Sequence, residues 1–228
     1  MNIKKLKETA QNHLVIYVFT VFFITNLLVW FLFYSYFGYN QITMTIATVL
    51  NPIIALIFIY YLKIDLRKIG LSVNKLSKAL IIITSAYLLL YLLALILNSL
   101  GANLIILREN YNLYYLFDNW ILTGLGEELV FAGLLFNILL KKGKIQKTWL
   151  AIMIIAFLFA IWHLPKHIAI MINSGNYSLA FLFSLLMNVL SWNIFGWLYV
   201  KSQKNLWLVA FAHASTDYAL LAMVVKSP

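Results

Sequence analysis

Seven apolar stretches, most of them about twenty residues long, divide this chain from end to end, and they limit its fold more than any other feature. A helix crossing the hydrocarbon core of a bilayer needs about 20 mainly apolar residues. Only helices and closed barrels satisfy every backbone polar group there. The stretches run over about 13–36, 42–62, 79–100, 113–140, 149–172, 179–200 and 206–225. Of the 228 residues, 64% are hydrophobic and 11% charged, whereas soluble domains carry about a quarter charged residues. The reading is an all-α, multi-pass transmembrane bundle of about seven spanning helices. It forms one integral membrane domain over 1–228, with no separate soluble domain. The chain has no Cys, which removes disulfides and thiolate chemistry. The first apolar run is too long for a signal-peptide core and is read as the first span. Pro52, after Asn51, predicts a kink in the second stretch, and Pro165 predicts an interruption of the fifth. Residues 63–77 mix Leu and Ile with Lys and Arg, which fits either a short interfacial piece or an ordinary loop.

The net charge of +10 would suit nucleic acid, but its distribution does not. With the N-terminus in the cytoplasm, one side of the membrane holds Lys4, Lys5 and Lys7, then Lys63, Arg67, Lys68, Lys75 and Lys78. The same side holds Lys141, Lys142, Lys144 and Lys147, then Lys201 and Lys204. Those are 14 of the 17 basic residues. The other side holds Arg108, Lys166 and Lys226. Positive residues collect on the cytoplasmic side of membrane proteins, so the expected partner is the lipid bilayer and no nucleic acid is implied. The composition fits a bacterial plasma membrane.

Against this apolar background three polar sites stand out. Glu127 and Glu128 lie together in the fourth stretch. His163 lies in the fifth, four after Phe159. His213 lies in the seventh, four before Asp217, so the two share a helical face. A charge at bilayer depth costs about 2.5–3.5 kcal/mol on insertion scales, and such groups tend to face the protein interior and act there. At 1.5 Å per residue, Glu127, His163 and His213 stand roughly 21, 24 and 14 Å from the basic ends of their helices. One layer inside the bilayer can hold all three. A carboxylate beside an imidazole can take a proton from water, and a second imidazole can hold a developing oxyanion. The same Glu127, His163 and His213 could instead hold zinc, which makes a nucleophile of bound water. Hydrolysis is the product either way. Ser215 is two residues from His213 on another face and is set aside as a nucleophile. His167 is read as interfacial, and Asn188 and Asn193 as hydrogen-bonders between helices.

These motifs resemble those of the CAAX-protease and bacteriocin-processing membrane peptidases, the CPBP or Abi family. Glu127 to Gly133 resembles the family's Glu-Glu-x-x-x-Arg motif, Phe159 to His163 its Phe-x-x-x-His, and His213 to Asp217 its His-x-x-x-Asn/Asp. The resemblance covers about 123–228, where it puts the peptidase-like core. It implies an intramembrane endopeptidase acting on a membrane-presented peptide or protein. Glu127 and His163 would activate water. His213 and Asp217 would hold the oxyanion or share in a metal site, and Glu128 belongs to the same set. Family members include metalloprotease and glutamate-type descriptions, so zinc and no cofactor both stand open. The departure is Ala132, where the motif's Arg would stand. That departure favours an alternative: a catalytically impaired family member serving as a membrane scaffold, regulator or immunity protein. A small transporter is a third reading, without the paired half-helices that would support it.

Overall fold

Residues 13–33, 41–101, 104–105, 118–142, 147–174, 180–216 and 224–225 are described in the computed structural model of this chain. Among them are seven helices. α1 is Leu14–Leu28, continuing into a wider π-helical turn at Val29–Phe33. α2 is Gln41–Tyr61 and α3 is Val73–Ser99. α4 is a composite helix over 118–142. α5 is Thr148–Ser174, α6 is Ala180–Lys201 and α7 is Leu206–Ala214. Five of these segments are long and apolar enough to cross a membrane: Leu14–Leu32, Val73–Ser99, Asn119–Leu140, Thr148–Ile172 and Phe181–Lys201. The apolar part described for α2, Thr48–Tyr61, is shorter, and α7 has nine residues.

Three boundaries differ from expectation. α3 begins at Val73 rather than near Ala79. The apolar count starts only beyond Lys75 and Lys78, but a Lys on the first turns of a helix can extend to polar partners. Here Lys75 Nζ donates to the carbonyls of Gln203 and Lys204 at 2.6 and 3.1 Å. α5 runs unbroken through Pro165. A proline inside a membrane helix is tolerated where a neighbour satisfies nearby carbonyls, and Asn26 Nδ2 on α1 donates to the Trp162 carbonyl at 2.5 Å. The last stretch does not stay helical to Val225, because Val224–Val225 pairs antiparallel with Leu104–Ile105. Residues 113–117, where the fourth span was expected to begin, lie outside the described residues.

Segment 63–72 is a loop of turns rather than a surface helix. Its Ile69 is buried in the core, and Gly70 makes the close approach. Gly70 has φ +102°, and a Cβ there would stand 1.8 Å from the Lys204 carbonyl oxygen. Asn205 caps α7 by accepting from Leu208 N, and its Nδ2 donates to the Lys75 carbonyl at 2.9 Å. Segment 63–75 and the 201–205 turn, both expected on one side of the membrane, therefore meet.

α4 is the centre of the bundle. It is wound as π-helix over Asp118–Leu125, as α-helix over Gly126–Glu128, and as π-helix again over Leu129–Phe136. All eight residues of that second π segment are buried. Asn137 holds its end: Nδ2 donates to the carbonyls of Ala132 and Gly133 at 2.8 and 3.0 Å. Lys204 Nζ donates to Asn137 Oδ1 at 2.6 Å, and the Tyr199 hydroxyl ties the group to the Ile69 carbonyl. Around α4 pack α2, α5 and α7, while α6 lies along α5. Phe136, Trp192 and Tyr199 fill the space between α4 and α6, and Phe131 packs on Phe159 and Trp162 of α5. All four of Phe131, Phe136, Trp192 and Tyr199 are buried.

Candidate active site

Two glycines decide how closely α4 is approached at the Glu pair. A Cβ on Gly124 would lie 2.6 Å from the Ala210 carbonyl oxygen of α7, so the two backbones touch there. That contact places His213, three residues after Ala210, beside Glu127 and Glu128. A Cβ on Gly126 would lie 3.1 Å from Pro52 Cδ. α2 thus closes, at Pro52, on the turn that carries the carboxylates.

The Glu127 carboxylate is the focus of two imidazoles. Its Oε2 lies 3.8 Å from His163 Nε2 and 3.7 Å from His213 Nε2. Each ring is anchored by its other nitrogen. His163 Nδ1 is 2.9 Å from the Phe159 carbonyl. A carbonyl can only accept, so Nδ1 carries a proton and the ring turns its Nε2 toward Glu127. His213 Nδ1 is 3.0 Å from Glu128 Oε1. Glu128 is wholly buried, and its partner is 85 residues away rather than four. Ala132, where a neighbouring Arg was expected from the motif, is buried as well. Loss of that Arg does not leave Glu128 without a hydrogen-bond partner.

Aromatic rings set both imidazoles in place. The ring centroids of Phe159 lie 4.4 Å from His163 and 5.8 Å from His213, so one phenyl packs against both. Phe195 of α6 stacks on His213 at 4.9 Å with 22° between planes. The Phe159 to His163 spacing noted in the sequence therefore serves position twice, through the ring and through the carbonyl.

Glu127, His163 and His213 open into a cavity of about 400 Å³. Asn26, Thr48 and Asn51, from helices given no role at first, line its wall. For Asn26 and Asn51 the signal in the sequence was an amide inside an apolar stretch, a costly placement that marks a built polar site. His167, expected at the interface, lines the same cavity, and Ser184 Oγ and Asn188 Nδ2 lie 3.2 and 3.3 Å from its Nε2. Asn188 joins two helices as expected, whereas Asn193 Nδ2 donates within α6, to the Val189 carbonyl. Ser215 bonds Tyr87 at 2.8 Å and the Phe211 carbonyl at 2.7 Å. Asp217 lies outside the described residues.

Among the described residues no group of three or more His, Cys, Asp and Glu side chains is placed to hold a metal ion. Zinc at Glu127, His163 and His213 finds no support in this donor arrangement.

Residues 109–219 match the family model described as Rce1-like, type II CAAX prenyl endopeptidase Rce1-like. The matched span contains all three motifs. No curated protein and no solved structure matches the chain.

Proposed function

We propose that this chain, which carries the Rce1-like CAAX endopeptidase pattern over residues 109–219, hydrolyses a peptide bond within the membrane using water activated by Glu127. The observation that carries this reading is the pair of near-equal distances, 3.8 and 3.7 Å, from one Glu127 oxygen to the two Nε2 atoms. These gaps are too long for direct hydrogen bonds. Polar contacts beyond about 3.5 Å are commonly bridged by water.

A water seated between Glu127 and His163 donates one proton to Oε2 and the other to His163 Nε2. Its lone pair is then directed at a carbonyl carbon entering from the cavity. On attack, Glu127 takes the proton as the new C–O bond forms. His213, with a proton on Nδ1 toward Glu128 and one on Nε2, donates to the oxyanion. The tetrahedral carbon collapses, the C–N bond breaks, and the leaving nitrogen takes the proton held by Glu127. Glu128 acts through His213, as an orienting carboxylate does in a triad. Asp217, beside His213 by sequence spacing, is assigned to the same oxyanion end. The substrate class is a peptide or protein presented at the membrane, and the setting is a bacterial plasma membrane with the N-terminus in the cytoplasm.

The reading is tested with Glu127→Gln, which keeps size and hydrogen bonding but cannot abstract a proton. Cleavage of membrane-associated reporter peptides by purified protein in liposomes should fall about 10²–10⁴-fold, the range for a general base. Thermal unfolding should be unchanged. Full activity in Glu127→Gln would instead favour a non-catalytic scaffold or immunity role, the alternative raised by Ala132.

A further inference from the structure

One end of the cavity is acidic, and the other carries a cation that the hydrolytic mechanism does not use. Lys166 lines the same cavity as Glu127. It follows His163 by three residues and precedes His167 by one, and all three residues line that cavity. Among the described residues Lys166 forms no ion pair, the carboxylate contacts there being those of Glu127 and Glu128 with histidines. On the facing helix α6, Ser184 and Asn188 line the cavity too and hydrogen-bond His167. The wall around Lys166 thus combines an ammonium with a hydroxyl and an amide on the facing helix, groups that can donate to a carboxylate.

We infer that Lys166, Ser184 and Asn188 form a carboxylate-binding subsite that orients the substrate peptide across Glu127. This rests on the peptidase reading above. The charge pattern supplies the direction. A substrate carboxylate is repelled from the Glu127 end and held at the Lys166 end, where shielding from water strengthens the attraction. Lys166 and His167 stand about 4.5–6 Å farther along α5 than His163, at 1.5 Å per residue. An extended peptide covers that distance in about two residues at 3.3–3.6 Å each. The bound carboxylate therefore lies close to the scissile bond. Two sources share this chemistry: a peptide's own C-terminus, and an Asp or Glu side chain near the cut.

The test uses purified full-length Glu127→Gln protein in liposomes, so that binding is read without cleavage. The probe is a pool of heptapeptides randomised over Ala, Val, Leu, Ile and Phe, made in three forms. One form has a free C-terminal acid, the second a C-terminal amide with one Glu, and the third an amide with no charge. Retained peptide is measured by mass spectrometry. At least one acidic form should be retained about tenfold more than the neutral one, the scale of one charge-assisted contact. Lys166→Met should remove that preference and Lys166→Arg should keep it, with the neutral form unaffected by either. Loss confined to the free-acid form assigns the C-terminus, and loss confined to the Glu form assigns a side chain. Equal retention of all three forms, or none retained, overturns the subsite. So does a Lys166→Met protein that keeps the preference or loses neutral peptide equally. Cleavage by the protein with Glu127 intact is scored separately, so failed catalysis and a failed subsite are read apart.

Discussion

α3 and α4 look alike as apolar text, yet they are opposite in the molecule. In an 18-residue apolar window of α3 only 6% of the residues are buried inside the protein, and in the corresponding window of α4 the share is 72%. α3 turns Ile81, Leu88 and Leu89 outward, where a bilayer's hydrocarbon takes the place of a core. α4 turns every side from Leu129 to Phe136 inward. Lipid is as apolar as leucine, so burial between helices is gained by close packing rather than by escape from water. The more apolar helix therefore stays outside, and the helix with the paired carboxylates Glu127 and Glu128 and three glycines is wrapped by the others. The lesson is that hydropathy marks what can enter a membrane, while small residues and polar partners mark what ends at the centre.

The contrast can be broken at several points. The largest effect should come from Glu128→Ala, which leaves His213 Nδ1 without its carboxylate. Cleavage in liposomes should drop by about 10²-fold or more, as for lost orienting carboxylates in triads, while Glu127 remains in place. A variant retaining full activity would remove Glu128 from the mechanism. Next is Gly124→Ala. Its Cβ would press on the Ala210 carbonyl and move α7, and with it His213, away from Glu127. A misplacement on the order of 1 Å can cost about 10² in rate, and the effect should appear in kcat more than in KM. Two truncations then compare the helices directly by unfolding in detergent. Leu134→Ala in α4 empties a fully buried site and should cost about 2–5 kcal/mol. Leu89→Ala in α3, 68% exposed, should stay within about 0.5 kcal/mol, as for surface changes. Equal losses would mean that α3 is covered by a partner.

Much of the helical architecture and the pairing of motifs was legible without coordinates. Runs of apolar residues bounded by lysines mark spans because an unsatisfied backbone amide in hydrocarbon is expensive. Glu127, His163 and His213 stand out because ionisable groups in such runs carry the same penalty. Spacing of four marks Phe159 with His163 on one face, since a helix repeats every 3.6 residues. The sequence by itself therefore determined the class of fold, roughly how many helices the described residues form, though five rather than seven of them are long and apolar enough to span, and the polar residues that stand out within them. It could not show that Glu128 meets His213, because that bond crosses 85 residues and depends on α7 touching α4 at Gly124. Nor could it show the π winding of α4, where Asn137 takes carbonyls that a regular helix would bond itself. Local periodicity is a property of neighbours in the chain. The meeting of Asn26, Asn51, Glu127, Lys166 and Asn188 around one cavity is a property of packing, and only the tertiary structure decided it.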